Sequence, residues 1–182
     1  MSAMLHRKGD FAADHKARRF DLLYRLLQSF YFALRGLLLC LYEERNLRIH
    51  LSASLWVLWL ALRCHTPNGE LAALAVCCGL VICGELFNSA VEATVDLLSP
   101  DYHPIARRAK DIAAAGVLAG AFFAVITGYI IFIRSGRLAA LLPMTPLQAV
   151  VYLMVAAVTF LFIFYYPTII RPLKAIKENH LD

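Results

Sequence analysis

Three carboxylates and an amide on one stretch hold the chemistry this chain could do. Glu85, Asn88, Glu92 and Asp96 follow one another at steps of 3, 4 and 4 residues. An α-helix turns about 100° per residue, so all four fall within roughly 80° of one face. Glu85 and Glu92 would stand about 10 Å apart along the axis at 1.5 Å per residue, too far to share a proton but suited to separate roles around one extended substrate. The set begins inside an apolar run, and an ionisable group at membrane depth marks a functional site. The competing reading for any single member is a hydrogen bond to a neighbouring helix. Downstream, Ser99 to Asp111 reads SPDYHPIARRAKD, a helix-breaking loop that brings His103 and the basic residues Arg107, Arg108 and Lys110.

Glutamates beside a lysine and a histidine match the needs of phosphoryl transfer. Mg²⁺ takes one or two carboxylates together with nucleotide phosphates, and cationic side chains offset charge on the transferring group. A further carboxylate, its pKa raised by burial, could accept the proton of an attacking hydroxyl. Neither a GxxxxGK[ST] nor a GxGxxG phosphate loop occurs, so any nucleotide site is built differently.

The elements that must position these groups are membrane helices. Of 182 residues, 60% are hydrophobic and 17% charged, with a mean hydropathy of +0.63, which excludes an ordinary soluble domain. The net charge of +5 could suggest nucleic acid, but the basic residues sit at the ends of apolar runs, as topology signals do. No nucleic-acid partner is therefore expected. No short apolar region with a small-residue cleavage site opens the chain, so no cleaved signal peptide is expected. Cys40, Cys64, Cys77, Cys78 and Cys83 form no CxxC pair and are expected to be small buried hydrophobes.

Taken in order, Met1 to Ala17 is polar and the one candidate for disorder. Phe20, Leu23, Leu27, Phe30, Leu34, Leu37 and Leu41 then recur at helical steps opposite Asp21, Arg25, Gln28 and Arg35, predicting an amphipathic helix along the membrane surface. The charged knot Tyr42 to Leu51 follows. Leu51 to Leu62 is uncharged but too short to span, so a membrane helix must start near Asn46 and carry Arg48 and His50 into the interface. Trp56 and Trp59 are expected to pack or face lipid. After a turn at Arg63 to Gly69, a second membrane helix runs from about Leu71 to Leu98, a third covers Ile112 to Ile133, and a fourth covers Leu147 to Ile170. Small residues Ala113 to Gly116 would allow close packing at the start of the third, and Phe160, Phe162, Phe164, Tyr165 and Tyr166 form an aromatic cluster on the fourth.

Fifteen Lys and Arg fall on one side of this topology and only Arg63, Arg134 and Arg137 on the other. The bias predicts that both termini and the Ser99 to Asp111 loop are cytoplasmic. The acidic face then opens where ATP and Mg²⁺ are available.

The runs ERNLRIH (Glu44 to His50), ELFNSAVEATVD (Glu85 to Asp96) and YHPIARRAKDIAAA (Tyr102 to Ala115) resemble the small bacterial diacylglycerol kinase and undecaprenol kinase family. The resemblance covers about Arg25 to Ile133, in order. It implies an all-α membrane bundle in the bacterial cytoplasmic membrane, a homotrimer with a surface helix and three membrane helices per protomer, and transfer of the γ-phosphoryl group of ATP to a lipid alcohol. Carried over by position, it implies that Glu85 is the catalytic base and that Glu44 and Glu92 are ligands of nucleotide-bound Mg²⁺. Asn88 and Asp96 would order that site, and Asp101, Tyr102, His103, Lys110 and Asp111 would contact the nucleotide. Arg25 would contact nucleotide and acceptor, with Arg48 and Glu85 also on the acceptor side.

The domains expected are a polar tail (1–17), a lipid kinase domain (18–135) and an additional helix with a basic tail (136–182). That last part lies outside the family core, Gln28 stands where relatives commonly carry lysine, and Phe32 replaces an aromatic hydroxyl. The wording around Glu44 and Ala114 resembles the undecaprenol branch. A different class of function, a carrier or ion-conducting bundle with Glu85 and Glu92 as a proton or cation relay, would leave the Tyr102 to Asp111 loop without a role.

Overall fold

The computed structural model describes residues 2–139 and 145–178, with side chains for 23–139 and 145–166. The described residues form five α-helices: α1 (Ser2–Glu43), α2 (Arg45–Arg63), α3 (Asn68–Leu98), α4 (Pro104–Gly128, continued by a π-helical turn Tyr129–Arg134) and α5 (Pro146–Glu178). No strand occurs among the described residues. Three of the helices, α3, α4 with its π-turn, and α5 up to Tyr166, are long and apolar enough to cross a membrane. This is a helical membrane bundle, as expected.

The chain divides into two compact units, residues 1–39 and residues 40–182. The first is most of α1. The helix already runs at Ser2, so the stretch expected to be a candidate for disorder is assigned to helix from there on. Along its described part the apolar stripe, including Leu23, Leu27, Phe30 and Leu34, is exposed, and so are Arg25, Gln28 and Arg35 on the other side.

In the second unit α3 packs against both α2 and α4, and α5 packs against α2. Helix α2 begins at Arg45, one residue from the expected start. It ends in a Schellman motif, in which Thr66 N donates to Ala61 O (3.0 Å) and His65 N to Leu62 O (3.2 Å). His65 takes the left-handed conformation that this cap needs (φ 49°), and Pro67 follows it. Ala61, Leu74, Ile131 and Phe132 form the buried core beside this turn. Arg137 fastens the same end by donating from Nη1 and Nη2 to the Glu70 carboxylate.

Two packing expectations are corrected. Helices α3 and α4 approach where Gly84 faces Val117 and where Gly120 faces Val81, whereas Ala114, Ala115 and Gly116 are exposed. The cysteines are not buried: four are half-buried and Cys83 is exposed, the three on α3 because much of the surface of that helix is turned outward. Trp56 and Trp59 do pack. They meet edge to face, Trp59 meets Tyr152 of α5 likewise, and Trp56 Nε1 donates to Thr159 Oγ1 at 3.2 Å. The aromatic cluster of α5 pairs Phe160 with Phe164 and Phe162 with Tyr166. The side chains of the basic tail, Arg171, Lys174 and Lys177, and of Met1 to Ala17 lie outside the described residues.

Candidate active site

Helix α3 sets its four polar residues at increasing exposure along one face. Glu85 is 3% exposed and Asn88 8%, Glu92 is half-buried and Asp96 is exposed. Each has a partner that its depth explains. His50, on the first turns of α2, puts Nε2 at 3.3 Å from Glu85 Oε1. A buried carboxylate without such a partner would be strongly disfavoured, so this contact makes an acid at that depth possible. Ser89 Oγ donates back to Glu85 O at 3.0 Å, the common way for a serine to satisfy itself within a helix.

One turn towards the open end, Asn88 Nδ2 donates to Glu92 Oε1 at 2.8 Å. The other side of the amide, Oδ1, is buried with no hydrogen-bond partner. Opposite stands Glu44, in extended conformation (φ −97°, ψ 111°) between α1 and α2. Its carboxyl pKa is raised, chiefly by burial, then by the charges of Glu92 and Glu43, with Arg48 opposing. The Glu44 and Glu92 carboxylates, from separate elements, are near enough for their charges to interact, and Asn88 Oδ1, one turn from Glu92, lacks a donor. That oxygen-only donor set suits Mg²⁺, which is held by one or two carboxylates and otherwise by phosphate and water oxygens. Among the described residues no group of three or more His, Cys, Asp or Glu comes together as a metal cluster.

Beyond Leu98, Pro100 prevents the helix from continuing. His103 caps α4, its Nδ1 accepting from Ile105 N at 3.2 Å with Pro104 at the first helical position. Lys110 Nζ donates to Asp96 Oδ1, tying the start of α4 to the end of α3. Arg107 and Asp111 form a loose pair at 3.9 Å on the exposed side. Asp101, Tyr102 and His103 are exposed.

Glu85, Asn88, Glu92 and Asp96 thus lie along one face of α3, Glu44 is near enough to feel the charge of Glu92, and the loop with Asp101 to Asp111 follows. Arg25 belongs to the first unit, where it accepts at its carbonyl from Ser29 Oγ. Arg48 is 4% exposed, and its guanidinium is engaged on main-chain carbonyls: Nε with Ile163 O (3.0 Å), Nη1 with Leu41 O (2.8 Å) and Tyr42 O (3.0 Å). Such charged hydrogen bonds are worth about 1.5–3 kcal/mol each and make a buried guanidinium tolerable.

His50 is not among the residues that the sequence pattern assigns to the site. Its place at the end of ERNLRIH is the available signal, but the pairing with Glu85 depends on the register of α2 against α3. An apolar cavity of about 640 Å³ lies elsewhere, between α2 and α5 from Ser52 and Phe162 down to Trp59 and Val151.

Residues 31–132 match the prokaryotic diacylglycerol kinase family. A diacylglycerol kinase of Synechocystis sp. is 40% identical over 104 residues, covering 57% of this chain and 59% of that protein. An undecaprenol kinase of Bacillus subtilis is 35% identical over 120 residues, 66% of this chain and 97% of that protein. A diacylglycerol kinase of Escherichia coli K12 is 48% identical over 48 residues, 26% of this chain and 39% of that protein. The matched residues contain Glu44, Glu85, Glu92 and Lys110, and the chain belongs to the prokaryotic diacylglycerol kinase family, a family of membrane lipid kinases.

Proposed function

We propose that this protein is a lipid kinase that transfers the γ-phosphoryl group of MgATP to the hydroxyl of a membrane lipid alcohol, diacylglycerol or undecaprenol. One observation carries the reading: a buried carboxylate, Glu85, is paired with His50 at 3.3 Å on the same helix face as Glu92, whose charge reaches Glu44 from another element.

Each residue then has a role. Glu85 accepts the proton of the lipid hydroxyl as its oxygen bonds to the γ-phosphorus and the bond to the ADP oxygen breaks, and His50 holds the carboxylate in line. Glu44 and Glu92 would hold the metal, with Asn88 fixing the Glu92 rotamer through Nδ2. Mg²⁺, when bound, offsets negative charge on the phosphates. Asp96 and Lys110 brace the nucleotide loop through their ion pair, and Asp101, Tyr102, His103 and Asp111 contact the nucleotide.

The excess of Lys and Arg at both termini and the 99–111 loop supports a cytoplasmic site in the bacterial inner membrane. The homotrimer rests on the family resemblance. The acceptor is decided by giving the purified protein MgATP with diacylglycerol and, in parallel, with undecaprenol. Label in one lipid names the acceptor, and no label in either, with folded protein, overturns the lipid kinase reading.

A further inference from the structure

We infer that Arg48 is a positioning residue, held from α5, that fixes the elbow carrying Glu44. The inference rests on the proposed function only for the role of Glu44.

A helix that stops leaves its last carbonyls without intrahelical donors. In a continuous helix Leu41 O and Tyr42 O would accept from the N–H groups of residues 45 and 46, but extended Glu44 diverts the chain there. Arg48 Nη1 takes both carbonyls, at 2.8 and 3.0 Å. Its own backbone N donates to Glu44 O at 3.5 Å, in the first turn of α2. Arg48 therefore lashes the end of α1 to the start of α2, and Glu44 is the residue in between.

The other edge of the guanidinium reaches α5, where Nε donates to Ile163 O at 3.0 Å. Within a helix that carbonyl accepts from the N–H four residues on, and residue 167 is proline, which has none. An orphaned carbonyl at membrane depth requires a donor from elsewhere, and Arg48 supplies it. Pro167 thus leaves an acceptor open to a cross-helix donor, and Arg48 Nε occupies it. The family match ends at residue 132, so this tie is made by the part of the chain outside the match. Helix α5 thereby acts as a strut that sets the direction of a proposed metal ligand. Arg48 in turn takes a different role from the acceptor contact expected from the resemblance.

The test uses the full chain in lipid nanodiscs. Pro167→Ala returns an N–H to position 167, which competes with Arg48 Nε for Ile163 O and weakens the tie. The expected result is faster deuterium exchange over residues 40–48, together with a loss of about 10-fold in Mn²⁺ affinity measured by electron paramagnetic resonance with a non-hydrolysable ATP analogue, the scale on which ligand-orienting groups act. The KM for lipid stays unchanged. Arg48→Lys does the same at least as strongly, and the double variant loses no more than Arg48→Lys alone. Thr159→Val, which removes a second polar link between α2 and α5, changes neither quantity.

Pro167→Ala with exchange and metal affinity both unchanged overturns the inference, as does Thr159→Val reproducing its effect. Should Arg48→Lys fail to fold, Pro167→Ala carries the test, since alanine favours the helix. Absence of Mn²⁺–nucleotide binding in the unsubstituted chain counts against the proposed function. Exchange over 40–48 then decides alone whether α5 holds the elbow.

Discussion

At the Glu85 end of the α3 face a carboxylate is buried and held by one histidine, whereas at the Asp96 end the carboxylates are exposed and pair with lysine and arginine. The same residue types serve at both ends, and depth separates their uses. Burial suits a group that must take a proton, because desolvation makes the charged form reactive. Exposure suits a loop that must admit a large charged ligand, and there an ion pair is worth little by itself, about 0–1 kcal/mol.

The largest effect should come from the deep end. Glu85→Gln keeps the shape and removes the base, so turnover should fall by about 10²–10⁴-fold. Comparing initial rates at saturating MgATP and lipid checks this, and full activity would remove Glu85 from its role.

Next, His50→Gln should lower kcat by about 10-fold or more through misorientation of Glu85, without moving the half-saturating Mg²⁺ concentration. Measuring the rate across a Mg²⁺ titration separates the two parameters. A change in metal requirement alone would put His50 on the shallow side of the comparison.

Much of this division is legible in the residues. Steps of 3, 4 and 4 put the polar face together, and Pro100 and Pro104 mark where the helix has to give way to a loop. What is not legible depends on how separate helices align. His50 meets Glu85 only because α2 and α3 pack in one register. Arg48 finds Ile163 across 115 residues, and the clue, a proline four positions beyond that carbonyl, has meaning only once α5 lies against α2. The small residues Ala113 to Gly116 would allow close packing, yet α3 and α4 meet at Gly84 and Gly120, since small residues permit contact without choosing where it falls.

A smaller effect should appear at the boundary between the two ends. The raised pKa of Glu44 means that its carboxyl holds a proton at a higher pH than an ordinary glutamate does. Metal binding needs the carboxylate, so Mg²⁺ affinity should weaken as pH falls through that raised pKa. Glu43→Gln removes one of the repelling charges, lowers the Glu44 pKa and should move the acid limb to lower pH by under about half a unit. Apparent Mg²⁺ affinity measured against pH reads this directly, and a shift to higher pH would contradict repulsion from Glu43 as a cause.

The account stands or falls on whether chemistry and nucleotide binding separate along α3. The direct measurement takes Glu85→Gln and Lys110→Met in identical nanodiscs and determines nucleotide Kd and single-turnover rate on each sample. The account predicts that Glu85→Gln loses transfer while its nucleotide Kd stays within about two-fold of the unsubstituted chain, and that Lys110→Met loses several-fold in nucleotide affinity but transfers normally once saturated. Equal loss of nucleotide affinity in both variants, or transfer surviving in Glu85→Gln, would contradict it.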